Sequence, residues 1–256
     1  FANCSFAGEV GRARAGVVVK AAMVLGLWLL SLSAVSASVE IRERVGTARD
    51  AKSGEVLYRE LHRERWSAGR ILDAEVRYVD ADGDAIGRKR IDFSINAVLP
   101  RFETRDHRSG HLEAGRLTDL GYVVRYREKE GAQFEVGTVT ADEAMVADAG
   151  IDRKVARVWD DLVRGRERVF GLIIPSSQDV YDFRVHALAP HELPEWQDAP
   201  AWLVLKVVPE NFLLRLAAPE ILLGYDRQTR QLRRYVGPSN LRGADGAPLD
   251  VVIDYP

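Results

Sequence analysis

Three short stretches carry side chains that could do chemistry. Asp80-Ala81-Asp82-Gly83-Asp84 offers carboxylates at the first, third and fifth positions of a calcium loop. The pattern then departs. Ala85 stands where the sharp turn needs Gly, and Ile91 stands where a bidentate Glu is needed. A hairpin turn, in which Asp and Gly are favoured, is the expectation, with weak calcium binding as its alternative. His107 and His111, flanked by Asp106 and Glu113, have the i, i+4 spacing of a metal pair on a helix. Arg108-Ser109-Gly110 between them reads as a turn, so the rings are expected to diverge into solvent. His62, His186 and His191 have no ligand partner near them in sequence. Ser176 and Ser177 follow Pro175 without the strained G-x-S-x-G elbow of a hydrolase, which leaves them a turn role. Asp160 and Asp161 are adjacent, and on a helix they point about 100° apart, too far for a paired acid–base dyad. Phosphate-cradling glycine loops are missing as well. These residues predict a protein that is not an enzyme and that holds no cofactor or metal.

The elements that would position them read mostly as strands. Short alternating runs cover Gly54 to Arg65, Ile71 to Val79, Ala85 to Ser94, Leu99 to Thr104, Gly121 to Arg127 and Gln133 to Thr138. They resume at Glu167 to Ile174, Val180 to Leu188, Trp202 to Val208, Ile221 to Tyr225, Leu232 to Val236 and Val251 to Tyr255. Gly- and Asp-rich turns separate them, the mark of antiparallel hairpins. Ile151 to Arg164 has helical spacing instead: Val155, Val158, Trp159, Leu162 and Val163 form one apolar face, with Asp152 able to cap the start and Gly165 the end. A second, nearly apolar helix is expected within Pro209 to Ala218. The fold class is mainly β (α+β): a single domain, a strongly curved antiparallel sheet or open β-barrel of about eleven strands with one amphipathic helix packed on it.

Composition narrows the partners. The 256 residues hold 36 Lys and Arg against 38 Asp and Glu, and 46% are hydrophobic. This excludes a disordered chain and a multi-pass membrane protein. It also argues against nucleic acid as a partner, because phosphate binding needs a concentrated positive field. Arg88-Lys89-Arg90, Arg125, Arg127, Arg230, Arg233 and Arg234 are expected on outward strand faces, with a patch for anionic head groups as the alternative. Basic Arg12, Arg14 and Lys20 precede the apolar run Ala21 to Leu30 and the small residues Ser31 to Ala37. That order predicts a secretory signal cleaved after Ala37, and an uncleaved anchor is the other reading of the same run. Phe1 is not Met, and a start within Val17 to Val19 is expected, with the residues before it an over-extended gene model. Cys4, the only cysteine, precedes the apolar run, so residues 38–256 have no disulfide or thiolate chemistry. The expected export product has 33 basic and 37 acidic residues, a net charge of −4, and its expected location is the periplasm.

The last third carries Tyr225-Asp226-x-x-Thr229-x-x-Leu232-x-x-Tyr235-x-Gly237-x-Ser239-Asn240. This resembles a pattern in secreted bacterial proteins of unknown function that look related to the periplasmic lipoprotein-carrier (LolA-like) superfamily. The resemblance implies a half-open barrel with helices over an apolar, acyl-binding cavity, and no catalytic residues. On that reading the cavity lining would be Val155, Val158, Trp159, Leu162, Phe212, Leu213 and Leu216. Two functions are carried forward. The first is a carrier of a lipid or acyl ligand, held between sheet and helix. The second is a cell-envelope protein-interaction or assembly module that binds an envelope protein partner through a sheet edge or the charged helix face. The volume of an apolar cavity separates them.

Overall fold

Alternation of period two runs through most of the chain past residue 38. Each such run becomes a strand because one set of its side chains can be buried while the other stays wet. The computed structural model describes residues 38–196, 201–217 and 219–256, without the side chains of residues 216 and 217. The expected export signal, residues 1–37, lies outside the described residues. The strands are β1 (Val39–Asp50), β2 (Val56–Ser67), β3 (Arg70–Val79), β4 (Ala85–Asp92), β5 (Arg101–Asp106), β6 (Leu112–Thr118), β7 (Gly121–Arg127) and β8 (Glu135–Val139). A second series follows: β9 (Met145–Ala147), β10 (Arg168–Ile174), β11 (Asp179–Ala187), β12 (Trp202–Pro209), β13 (Ile221–Asp226), β14 (Leu232–Arg242) and β15 (Pro248–Asp254).

All fifteen belong to one sheet. Chain neighbours pair from β1 to β8 and from β9 to β15, and β1 pairs with β15 to join the two series. The mainly β expectation holds, and the count rises from about eleven to fifteen. β1, β6 and β9 are the strands that the sequence did not announce. β6 is interrupted by Ala114 and Gly115, and β9 has three residues, too few for a period to show. The sheet stays open rather than closing into a barrel, because β8 and β9 do not pair. β9 and β10 run parallel, joined by a helical crossover as such a pair requires.

That crossover corrects the single helix expected over Ile151 to Arg164. It forms α1 (Gly150–Arg157) and α2 (Trp159–Val163), separated at Val158 (φ −109°, ψ 14°). The Val158 N–H donates to both the Lys154 and the Val155 carbonyls, so the turn tightens without losing the apolar face. Asp152 does not cap α1. Its carboxylate accepts the Tyr225 hydroxyl at 2.6 Å. Gly165 ends α2 as expected, at φ +75°, with the Arg166 N–H returning to the Asp161 carbonyl. The expected second helix is α3 (Phe212–Ala217), opened by the Asn211 carboxamide, which accepts the Leu213 N–H at 2.9 Å.

The core has three apolar clusters. In the first, Val155, Trp159 and Leu162 pack on Phe170, Val185, Leu203, Leu205 and Leu223. In the second, Phe93, Val98 and Leu99, from the segment between β4 and β5, meet Tyr122, Val124, Ala147 and Ile173. The third joins β1 to β4 with β14 and β15 around Tyr58, Tyr78 and Ile253. Each unpaired sheet edge meets another segment through a hydrogen bond. The Ala147 N–H donates to the Val98 carbonyl at 3.0 Å. At the other edge, Gln178, in the β10–β11 turn at φ +56°, donates from Nε2 to Glu135 of β8 at 2.7 Å.

Gly150 is where the crossover meets the segment before β5. A Cβ there would collide with the Val98 carbonyl oxygen. Gly150→Ala should lower stability by about 1–3 kcal/mol, the usual scale for overpacking. A urea midpoint that falls at constant slope is the expected reading, and an unchanged midpoint would show that this contact yields freely.

Candidate functional site: a charged outer face over a filled interior

The seven residues expected to line a cavity fall into two separate places. Val155, Trp159 and Leu162 are buried in the first core cluster, and Val158 packs against it. Trp159 meets Tyr225 edge to face at 5.9 Å. Phe212 and Leu213 are 66% and 73% exposed on α3. The side chain of Leu216 lies outside the described ones. Two well-formed clefts lie among the described residues, and neither is lined by α1 or α2 residues.

The larger cleft, about 1290 Å³, lies across β1 to β5. Strand register explains its chemistry. Alternate residues of these five strands point outward and align in rows across the sheet. One row reads Glu43, Arg63, Glu75, Arg90, Glu103, with the sign changing at every strand. The row on one side reads Ile41, Arg65, Asp73, Asp92, Arg101. The row on the other reads Val45, Leu61, Arg77, Arg88, Arg105. Ion pairs knit the rows together. Arg65 holds Asp73, Arg88 reaches Glu75 at 3.0 Å, and Arg105 reaches Glu103 at 2.8 Å. Exposed pairs of this kind contribute about 0.2–1 kcal/mol each, so the lattice can be rearranged at little cost. Val39, Ile41 and Val45 of β1 are exposed large aliphatics on the same face.

No family model, curated protein or solved structure matches the chain. Its chemistry therefore has to be read from its own residues.

Inside, the polar residues are paired rather than poised. The expected outward position of Lys89 is corrected: it is buried and meets Asp148 at 2.7 Å, while Arg88 and Arg90 do face outward. Asp148 takes φ +48°, a left-handed conformation that Asp tolerates better than most residues. His62 is not solitary either. Its Nε2 lies 2.9 Å from Glu60, which also accepts the Tyr255 hydroxyl at 2.8 Å. Burial pushes the Glu60 carboxyl up, but the His62 hydrogen bond and charge, the Tyr255 hydroxyl and Lys89 together hold it below its ordinary value. No signal short of the fold brings Tyr255 to Glu60.

The residues around His107 separate by face. His107 is exposed, whereas His111 is buried. Asp106, His111 and Glu113 gather around Arg242 of β14, the member that sequence spacing could not supply. Arg242 donates to Glu113 and lies against His111 Nε2, both at 3.2 Å, and its backbone N–H donates to Asp106 at 3.0 Å. Arg108 adds two guanidinium bonds to Asp106. Burial raises Asp106 and Glu113, and these partners, with His111 and Lys89 also acting on Glu113, bring both below the ordinary carboxylate range. A guanidinium thus sits among the groups that a metal would need, and the described residues contain no cluster of three metal ligands. Asp80 closes the β3–β4 turn, accepting the Asp82 and Asp84 N–H groups at 3.1 and 2.9 Å. Ser176 and Ser177 lie in the β10–β11 turn.

The smaller cleft, about 500 Å³, opens near α3 and is lined by Arg184, His186, Leu188, Lys206, Val208 and Leu222, among others.

Two predictions follow from the buried pairs. Lys89→Met leaves the Asp148 charge uncompensated and should cost about 3–5 kcal/mol. Adding Asp148→Asn should restore much of this, and a double-mutant cycle in urea measures the coupling. The second concerns acid. Glu60, Asp106 and Glu113 bind protons more weakly folded than unfolded, so they stabilise the fold above their unfolded values. That contribution is lost as pH falls through their folded values. Stability should therefore decline below about pH 5, and a urea midpoint flat from pH 7 to pH 3 would contradict it.

Proposed function

We propose that the chain is an exported, non-enzymatic module of the cell envelope that binds a protein partner through the outer face of β1 to β5. One observation carries the reading. The larger cleft is an outward, charged groove, while the helix face that would have lined an acyl cavity is packed into the core. A groove of arginines and carboxylates discriminates among partners by charge pattern more than by apolar area, which suits recognition of another protein surface. The sequence supplies the remaining supports: the expected signal before residue 38 and the missing catalytic constellation.

Carriage of an acyl ligand is the second reading, and α3 favours it. Phe212, Leu213 and Leu214 are all exposed. Val208, Leu188 and Leu222 line the cleft beside α3 and supply aliphatic surface. A ligand would then lie against the outside of the sheet, not between sheet and helix.

Native mass spectrometry of residues 38–256 purified from the periplasm separates the two. The protein-binding reading expects the bare polypeptide mass and no uptake of a fluorescent fatty acid. A co-purifying acyl species, lost on Phe212→Ser with Leu213→Ser, would establish the carrier instead.

A further inference from the structure

The row Val45, Leu61, Arg77, Arg88, Arg105 differs from its neighbours. It places two aliphatic side chains and then three arginines directly opposite one another on successive strands. Like charges so placed repel each other across the strands. Arg88 and Arg105 borrow carboxylates from the adjacent row. Arg77 has no carboxylate within ion-pair distance among the described residues. The Arg88 Nε is buried without an acceptor.

We infer that this row docks the acidic face of a helix from a partner protein, with an apolar residue of that helix on Val45 and Leu61 and its carboxylates on Arg77, Arg88 and Arg105. The inference rests on the protein-binding reading above and names the partner's chemistry. Three arguments carry it. Guanidinium forks match carboxylates in planar, two-point contacts. Residues opposite on neighbouring strands are about 4.5–5.5 Å apart. Side chains three or four apart on a helix are about 5–6 Å apart, whereas those two apart on an extended chain are about 6.6–6.8 Å apart. The row therefore keeps step with a helix lying across the strands better than with an added extended peptide. The last argument is sign. Across the three rows seven arginines face five carboxylates. A uniformly anionic membrane or polyphosphate would meet those five carboxylates unfavourably. A helix with an acidic stripe and mixed flanks meets both signs.

The test is site-directed photocrosslinking in cells exporting the full chain, with Val45→benzoylphenylalanine as the probe and Val169→benzoylphenylalanine, exposed on β10, as the control. The expected result is an adduct at position 45 whose crosslinked peptide has acidic residues three and four apart beside an apolar one. Its yield should fall at least tenfold when Arg77→Glu and Arg105→Glu are added, at an unchanged urea midpoint. A crosslinked segment without acidic residues, a lipid adduct, or a yield indifferent to the arginines would overturn the inference. Adducts from position 169 alone would overturn it while leaving a protein partner in place. A bound acyl chain with adducts from neither position would remove both.

Discussion

The pairing of β1 with β15 is the constraint on which the rest of the sheet depends. Thirteen of the strand pairings follow from chain adjacency, but this one brings the first and last described strands together, matching Thr47–Asp50 to Asp254–Val251. It fuses two meanders into one sheet of fifteen strands. A sheet of that width twists and must curl, because right-handed twist accumulates from strand to strand. Curling makes an interior, and the interior has to be filled. The crossover helices fill it beneath β10 to β13, and the segment Phe93 to Leu99 fills it beneath β3 to β5. What remains between the two halves is spanned by polar side chains, Lys89 to Asp148 and Arg242 to Asp106, His111 and Glu113.

These polar spans set the protonation state of the buried carboxylates among the described residues. Each buried carboxylate has a cation or hydroxyl partner already in place, and the pairing holds Glu60, Asp106 and Glu113 in the charged form. A general acid needs the opposite arrangement, a carboxyl whose environment favours the proton. A buried pair is weak evidence for net stability but costs several kcal/mol when halved, so such pairs fix which strands face each other across the interior.

Much of this was legible in the sequence, and the failures have physical causes. The strand runs with turn punctuation, such as β3, Asp80–Asp84 and β4, were readable because period two and turn chemistry are local. β1 was missed because its aliphatic set, Val39, Ile41 and Val45, lies on the exposed face, so its pattern does not mark a core side. The helical period of Val155, Trp159 and Leu162 was right about burial and silent about its depth: an apolar face is equally consistent with lining a cavity and with filling one. Lys89 looked outward because its neighbours are arginines. Alternation alone places it on the other face, and only the crossover supplies Asp148 to receive it. Arg242 lies 129 residues from Glu113, beyond any local pattern.

The surface rows follow from the same geometry as the core. Once register is set by the buried residues Ala74, Ile91 and Phe102, the outward residues between them must align across strands, whatever their charge. Row order on the outer face is thus inherited from packing on the inner one. The chain could have placed alternating signs in every row, as it does from Glu43 to Glu103, and gained a little stability at each step. It places Arg77, Arg88 and Arg105 together instead. Like-charge opposition occurs in the adjacent row too, where Asp73 faces Asp92, so what sets the arginine row apart is that all of its charges have one sign.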